Sequence, residues 1–229
     1  TDNTSYSPTP EKDYKVFSNV KENLDYLKSK YNTLICADVI IREFNMFVYN
    51  ENHKCFIIYI DGLVDSDSIN DFILEPLMLG KFRYNKPFDG TLFDYVDNCL
   101  LPQNSVTPVK DYSDVFTSIN MGDCLLFIDT LDSAFDIDVK QYTQRSVSIP
   151  ENESVIKGPQ EGFIENFRTN TSLLRRIVNN ENLVIETIPV GKISRTKCGV
   201  CYLQNIANGD LVSEVKYRLH NLDIDSLLS

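Results

Sequence analysis

Hydrophobic residues recur every three or four positions in several segments of the chain, a spacing that predicts amphipathic helices. Helices are expected near residues 16–31, 66–75, 93–100, 115–121, 159–177 and 211–219. Apolar or alternating runs between these segments predict β-strands. Strands are expected near residues 38–44, 46–49, 55–60, 124–128, 134–139, 183–188 and 198–203. The two periodicities together predict an α/β fold of the α+β type.

The pattern also predicts which residues are buried. The uninterrupted apolar runs at 55–60 and 124–128 are typical of strands that are covered on both faces. Strict alternation at 134–139 predicts a strand with one face in water. A helix is expected to begin at Gly158-Pro159, because proline suits the first helical position. Its predicted buried residues are Phe163, Ile164, Phe167, Leu174 and Ile177.

The order helix, strand, strand, helix occurs twice along the chain. The junction at residues 59–67 aligns without gaps with residues 202–210, at a constant offset of 143 (202 − 59). Asp65 and Asn208 occupy equivalent positions and are both suited to cap the helix that follows. The repeat predicts two related lobes, each a small mixed β-sheet packed with helices. We expect residues 1–120 to form the N-terminal lobe, with a lead-in helix and an irregular segment, and residues 121–229 to form the C-terminal lobe.

The composition indicates a folded globular protein. The 229 residues are 42% hydrophobic and 24% charged, which allows one large domain or two small ones. Lys and Arg number 22 against 33 Asp and Glu, and the net charge of −11 makes nucleic acid a poor partner. The longest strongly apolar run is far shorter than the ~20 residues of a membrane helix. Because the chain opens without an initiator Met or an apolar signal core, we expect it to be a fragment of a longer protein, so the missing membrane helix does not exclude a membrane portion elsewhere in that protein.

Signatures of the common enzyme classes are missing from the sequence. It has no Gly-rich phosphate loop, no G-x-G-x-x-G, no H-E-x-x-H and no G-x-S-x-G. His53 in a polar turn and His220 near a helix end have no neighbouring Ser or Cys that would form a nucleophile–base pair. Asp136 and Asp138 would share one strand face, which we interpret as a solvated face. We therefore expect no catalytic residue, no cofactor and no metal site, and hence not an enzyme.

The six cysteines are interpreted as reduced, packed thiols, because a chain of this length does not need disulfides. Cys198 and Cys201 nevertheless have the spacing of redox and zinc sites. In a β-rich run, positions i and i+3 point to opposite faces, and no second Cys or His pair offers the remaining zinc ligands. Buried strand thiols are the favoured interpretation, and a redox or zinc role is the alternative.

The most unusual segment covers residues 154–177. Gly158-Pro159 would set the start of a helix, and Glu161 would complement the helix dipole in its first turn. Arg168 and Arg175 lie seven residues apart, close to one helix face. Such arginines can tie the helix to carboxylates of a neighbouring lobe or subunit. The alternative is a solvated helix whose Arg stems cover its sides.

This segment resembles the hallmark G-P-x-E-G-F-x-E-x-x-R-T-N-x-x-L-x-R-R of the A subunits of GerA-family bacterial spore germinant receptors. The matching residues are Gly158, Pro159, Glu161, Gly162, Phe163, Glu165, Arg168, Thr169, Asn170, Leu173, Arg175 and Arg176. The resemblance extends to residues 122–129, 145–146, 191–206 and 215–228, and residues 34–78 are similar to the family's first lobe. The chain departs from the family at Gln160, where Arg is frequent, and at Cys198 and Cys201, where aliphatic residues are usual.

The resemblance implies the soluble N-terminal domain of a receptor A subunit. Such a subunit lies in the inner membrane of the dormant spore, with this domain on the cytoplasmic (core) side. The implied partners are the membrane-embedded remainder of its own subunit, a transporter-like B subunit, a lipoprotein C subunit and other A subunits. No nucleic-acid partner is expected.

Three functional hypotheses follow from the sequence together with what this resemblance implies. The first is a non-catalytic signalling domain that couples nutrient germinant detection to germination and ion release. Its coupling element would be the Gly-Pro helix, through Gly158, Pro159, Glu161, Gly162, Phe163, Arg168, Asn170, Arg175 and Arg176. The second is a binding module that captures an amino acid or sugar germinant weakly in a cleft between the lobes, through residues that the sequence does not identify. The third is a thiol-dependent redox enzyme that uses Cys198 and Cys201.

Overall fold

The computed structural model describes residues 14–48, 51–79, 89–102, 105–141 and 162–226. The helices are α1 (Val20–Lys30), α2 (Ser66–Ile69), α3 (Glu75–Leu79), α4 (Leu92–Tyr95), α5 (Tyr112–Met121), α6 (Phe167–Ile177) and α7 (Gly209–His220). The strands are β1 (Val39–Val48), β2 (Glu51–Ile60), β3 (Val106–Val109), β4 (Cys124–Ile128), β5 (Ala134–Ile137), β6 (Leu183–Val190) and β7 (Thr196–Leu203). Single π-helical turns, Asn70–Leu74 and Val96–Leu100, follow α2 and α4.

The described strands form two antiparallel sheets. The larger sheet has five strands in the order β1-β2-β4-β5-β3, and the smaller one pairs β6 with β7. Helices accompany both sheets, so the predicted fold class is confirmed in its α+β form. The boundary expected at residue 120 falls between α5 and β4, yet β4 pairs with β2. One sheet therefore contains strands from both sides of that boundary.

Strand β4 lies at the centre of the larger sheet, and all five of its residues are buried. Leu126 and Ile128 belong to a core cluster shared with α2, α3 and α4. Leu125 and Phe127 belong to a second cluster, shared with α1 and α5. Helices thus cover both faces of the sheet, and the fully buried strand predicted at 124–128 is confirmed.

The smaller sheet is attached to the larger one through the segment between α1 and β1. The backbone N–H of Ala37 donates to the carbonyl of Ile185 in β6 at 3.0 Å. The side-chain amide of Gln204 donates to the backbone carbonyl of Lys30, the last residue of α1, at 2.9 Å. These hydrogen bonds join residues that lie far apart in the sequence, and they place β6 and β7 beside residues 30–38.

The predicted repeat is visible in the local structure. The first unit is α1-β1-β2-α2 and the second unit is α6-β6-β7-α7. Asp65 and Asn208, 143 residues apart, each cap a helix by accepting backbone N–H groups with the side chain. Asn19 and Asn166 cap α1 and α6 in the same way, and both of these helices are 11 residues long. The repeated order of elements therefore extends to equivalent caps.

Three predictions for the segment between residues 45 and 76 were wrong. The break expected near residue 45 does not occur, because Asn45 pairs with Lys54 in one continuous hairpin of β1 and β2. His53 accordingly lies in β2 and not in a turn. The helix expected to stop near Pro76 continues through α3. Pro76 is tolerated because a π-helical turn precedes α3 and places the proline in the first turn of α3, where its missing N–H matters least.

Candidate functional site

Helix α6 begins at Phe167, later than the sequence predicts. The side chain of Asn166 accepts the backbone N–H of Thr169 at 3.1 Å, which is an N-cap. Residues 162–166 are described and are not helical. Gly158, Pro159 and Glu161 lie outside the described residues, so their predicted role at the start of the helix stays a prediction.

Asn170 holds the backbone that precedes α6. Its amide nitrogen donates to the carbonyl of Ile164 at 2.7 Å, and its amide oxygen accepts the N–H of Ile164 at 2.8 Å. Asn23 makes the same two bonds to Phe17 before α1, at 2.6 and 2.9 Å. An Asn four residues after an Asn N-cap therefore fixes the backbone before the first helix of both units. This N-x-x-x-N spacing was a readable signal that the sequence reasoning missed.

The buried face of α6 differs from the prediction. Its buried residues are Thr171, Ser172, Leu173 and Arg175. Phe163, Ile164 and Ile177, which were expected inside, are 65%, 47% and 70% exposed. The apolar periodicity predicted the wrong buried face, because an arginine occupies the core-facing side of the helix.

Arg175 is 1% exposed and anchors α6 to the first unit. Its Nε donates to Oδ2 of Asp38 at 2.7 Å, and its Nη2 donates to Oδ1 of Asp38 at 2.8 Å. Nη2 also lies 3.0 Å from the sulfur of Cys36. A two-pronged guanidinium–carboxylate pair is among the strong charge-assisted hydrogen bonds. The interpretation that arginines tie this helix to carboxylates of a neighbouring lobe fits this geometry.

Burial and charge shape the pKa values around this pair. Burial alone would lower the pKa of Arg175, but the hydrogen bonds and charge of Asp38 outweigh it and raise that pKa. Burial, with Asp38 next to it, raises the pKa of Cys36 to about 11. Nη1 of Arg175 has no hydrogen-bond partner among the described residues. Arg175 therefore stays charged at neutral pH, and Cys36 remains a neutral thiol.

Arg168 forms a second ion pair at the other end of α6. Its Nη2 contacts Oδ1 of Asp61, which follows β2, and the two side chains are 58% and 25% exposed. An ion pair that water reaches contributes little to stability and exchanges partners easily. The helix is thus joined to the first unit by one buried pair and one accessible pair.

Close packing brings α6 against the turn between β2 and α2. Gly62 has φ +89°, and a Cβ there would lie 3.3 Å from Cβ of Ser172 and 3.5 Å from Cγ of Arg168. Glycine suits this position because, without a Cβ, it adopts the left-handed backbone without strain and fits the narrow gap. This turn and α6 therefore form two walls that nearly touch at Gly62.

A cleft of about 410 Å³ opens between these walls. Its charged lining residues are Asp61, Asp65, Asp67, Arg168 and Arg176. Such a volume falls within the range of small-molecule sites, and groups of both signs would suit a ligand that carries both charges. The sequence reasoning identified both arginines but none of the three carboxylates, which are scattered through an acidic chain.

The Cys198–Cys201 pair lies in β7, as predicted, but the prediction that both thiols are buried was wrong. Cys198 is half-buried and Cys201 is exposed, because no residue of β7 is buried in this two-stranded sheet. Residues 198 and 201 pair with Ile188 and Ile185 of β6, and alternate strand positions point to opposite faces. Desolvation raises the pKa of Cys201, and the nearby charge of Asp38 adds to this effect. A reactive thiol needs the opposite shift. Within the described residues, no group of three or more His, Cys, Asp or Glu side chains could hold a metal ion.

None of the helices in the described part of the chain is both long enough and apolar enough to cross a membrane. His220 is the last residue of α7, and its Nδ1 lies 2.9 Å from the carbonyl of Lys216. It lies in the last turn of α7 and is not among the residues that line the cleft.

Comparisons with known proteins agree on one family. The family model described as Bacillus/Clostridium GerA spore germination protein matches residues 25–229. Spore germination protein KA of Bacillus subtilis is 32% identical over 192 residues, which are 84% of this chain and 34% of that protein. Stage V sporulation protein AF of the same organism is 30% identical over 217 residues, 95% of this chain and 42% of that protein. The chain spans less than half the length of these relatives.

A solved structure shares the fold. It is the crystal structure of the N-terminal domain of the A subunit of the Bacillus megaterium spore germinant receptor GerK3, with a TM-score of 0.66 and 24% identity. The match covers 93% of this chain and 75% of that one. With the family model matching most of its length, the chain belongs to the GerA family of spore germination proteins.

Proposed function

We propose that the chain is a signalling domain of a spore germinant receptor and that it catalyses no reaction. It couples detection of a nutrient germinant to the opening of a membrane complex and the release of ions. Support comes from membership of the GerA family and from the way α6 is joined to the first unit. Redox chemistry gains no support from Cys201, whose thiol has a raised pKa.

The observation that carries the proposal is the contrast between the two arginine pairs of α6. Arg175 and Asp38 are buried and hold the C-terminal half of the helix in place. Arg168 and Asp61 are partly exposed, so a ligand or partner can compete for either side chain. Releasing the second pair while the first holds would let α6 pivot, which is the kind of two-state element that signalling requires.

The proposed partners would receive that movement. They are the membrane-embedded remainder of the subunit, the transporter-like B subunit, the lipoprotein C subunit and other A subunits, at the inner spore membrane with this domain on the cytoplasmic (core) side. Gly162 has open space around it, and Phe163 and Ile164 are exposed just before α6. This short apolar segment moves with the helix through Asn170 and is our proposed contact for a partner.

Arg168→Ala in the whole receptor tests the signalling role. We expect germination in response to nutrient to slow by about 5-fold or more, since coupling between sites is typically of that size. The isolated chain should stay folded, because the lost ion pair is accessible to water. Arg218→Ala is the matched control, as Arg218 is an exposed arginine paired with Glu214 within α7. Unchanged germination with Arg168→Ala would refute the proposed role of α6.

The cleft supports a second candidate function, direct capture of an amino acid or sugar germinant. Its volume of about 410 Å³ and its lining by both carboxylates and guanidinium groups favour a small polar ligand. Titration of the labelled chain with amino acids, sugars and nucleosides, followed by NMR chemical shifts, tests this candidate. Shifts confined to cleft residues such as Asp65 and Thr169 would support it, and uniform or absent shifts would reject it.

A further inference from the structure

Three carboxylates and one ammonium group meet behind the cleft, where β4 begins. Asp123 directly precedes β4 and is 6% exposed. Asp136 lies in β5 and Asp138 follows it. The ammonium of Lys140 contacts Oδ1 of Asp123 and lies 3.7 Å from Oδ1 of Asp138. Lys140 thus has one buried and one more exposed carboxylate within reach.

The neighbouring groups leave this cluster short of positive charge. Ser118 of α5 donates a hydrogen bond of 2.6 Å to Oδ2 of Asp136. The other oxygen of Asp136 is buried and has no hydrogen-bond partner among the described residues. Cys124, which directly follows Asp123, is a buried thiol whose pKa is raised by burial and by Asp136 and Asp123. The solvated face predicted for Asp136 is therefore wrong, because α5 covers it.

Protonation of a carboxylate near neutral pH would reduce the excess negative charge of this cluster. Burial raises the pKa of Asp123 to about 6; the hydrogen bond and charge of Lys140 work against this shift, and Asp136 and Asp138 reinforce it. Burial also raises the pKa of Asp136. Asp138 can accept the ammonium because its carboxylate is already close to Lys140 and is more exposed than that of Asp123.

The backbone on either side of Lys140 forms part of the cleft wall. The N–H of Asp65 donates to the carbonyl of Val139 at 2.8 Å, and the N–H of Gln141 donates to the carbonyl of Leu63 at 2.9 Å. Lys140 itself forms a β-bridge with Val64. Val64, Asp65 and Gln141 line the cleft. A displacement of Lys140 would therefore act on the cleft wall through the two backbone hydrogen bonds that flank this residue.

We infer that protonation of Asp123 transfers the ammonium of Lys140 from Asp123 to Asp138 and thereby shifts the cleft wall formed by residues 63–65 and 139–141. The cleft then has two states that differ in the charge behind its wall. This inference deepens the proposed function and rests on it for its meaning in germination. It adds that the signal, or the capture of a ligand, depends on pH.

A pH titration of the isotopically labelled 229-residue chain between pH 5 and 7.5, followed by NMR, tests this inference. In the wild type, the backbone amides of Asp65 and Gln141 should titrate with a midpoint near about 6, together with the carboxyl carbon of Asp123. In Asp123→Asn the amide transitions should vanish. Asp132→Asn, which removes an exposed carboxylate in the turn between β4 and β5, should leave them unchanged.

Two results would overturn the inference. One is an absence of amide titration in the wild type, and the other is a transition that persists in Asp123→Asn but disappears in Asp136→Asn. If Asp123→Asn does not fold, the carboxyl carbon of Asp123 in the wild type decides, because its midpoint must match that of the two amides. The NMR titration tests the pH-dependent switch without germination, whereas the Arg168→Ala variant tests the signalling role by germination. Either proposal can therefore fail while the other stands.

Discussion

At the scale of single residues, Arg175 shows how a charge becomes part of a core. Its guanidinium reaches Asp38 across 137 positions of sequence and is covered almost completely. A buried charge is tolerated when its oppositely charged partner is buried with it. Removing one partner leaves the other charge buried and uncompensated. The motif in the sequence identified this arginine, but its partner could not be read, because an acidic chain offers 33 carboxylates and no local pattern selects one.

Arg175→Ala should destabilise the chain by about 3–5 kcal/mol, because it leaves the carboxylate of Asp38 buried without a partner. Arg175→Lys should restore only part of this loss, since an ammonium cannot make the two-pronged contact. Urea unfolding at pH 7 measures both effects. Arg218→Ala, on the exposed side of α7, should stay within about 0.5 kcal/mol of the wild type. A similarly small effect of Arg175→Ala would contradict the anchoring role.

Asp123 should make stability depend on pH in an unusual direction. Its folded-state pKa of about 6 lies above the ordinary value of 3.8, so the folded chain binds more protons than the unfolded chain between these values. Lowering the pH from 7 to 5 should therefore stabilise the wild type relative to Asp123→Asn by about 1 kcal/mol. Urea unfolding of both proteins at the two pH values gives the difference. A constant difference would show that Asp123 titrates alike in both states.

At the scale of elements, most helices and strands followed from local periodicity. The buried strand β4 and the caps at Asp65 and Asn208 were predicted, since each depends on neighbouring residues. The buried face of α6 was not predicted. It is decided by an ion pair with a distant residue, which places Arg175 inside and Ile177 in water. Local pattern therefore predicted the elements, while long-range charge pairing decided how one of them faces.

Gly62→Ala should weaken the contact between α6 and the turn after β2. The substitution places a Cβ 3.3 Å from Ser172 at a left-handed backbone position, so a loss of about 1–2 kcal/mol is expected. Gly209→Ala provides the control, because nothing lies within 4 Å of its Cβ position and its φ is not positive. Thermal unfolding compares the two variants. Equal effects would mean that the close approach at Gly62 is unimportant.

The equivalent asparagines Asn23 and Asn170 should differ in what their loss costs. Asn23 is 1% exposed and also accepts the hydroxyl of Tyr112 at 2.6 Å, so Asn23→Ala should destabilise by about 2–3 kcal/mol. Asn170→Ala should cost about 1 kcal/mol or less, because its bonds to Ile164 are exposed to water. Urea unfolding measures both values.

Amide hydrogen exchange separates the local effect of Asn170→Ala from its global one. The N–H of Ile164 should exchange faster in this variant while the N–H groups of β4 keep their protection. Unchanged exchange at Ile164 would show that Asn170 does not hold the segment before α6.

At the scale of the whole molecule, the sequence indicated the fold class and the family, and the structure adds how the units are joined. The repeat predicted two equivalent sets of elements, which are present, but the junction through residues 30–38 left no pattern. Backbone hydrogen bonds between distant segments involve any residue type. The cleft was missed for the same reason, since it is formed by a turn and a helix more than 100 residues apart.

The double variant Cys198→Ser, Cys201→Ser should leave nutrient germination within about 2-fold of the wild type in the whole receptor, because the proposed signalling role needs no thiol chemistry. The two residues are partners of Ile188 and Ile185 in a strand pair, where serine is a close substitute in size. Germination assays on spores that carry the variant measure the effect. A loss of germination with a folded domain would favour the thiol-dependent alternative.

The attachment of β6 to Ala37 has a consequence for the order of folding. The hydrogen bond between Ala37 and Ile185 and the pair between Asp38 and Arg175 both close very large loops, and loop closure of this kind is slow. Because the contacts within the hairpin of β1 and β2 are local in sequence, we expect this hairpin to form before the second unit docks on it.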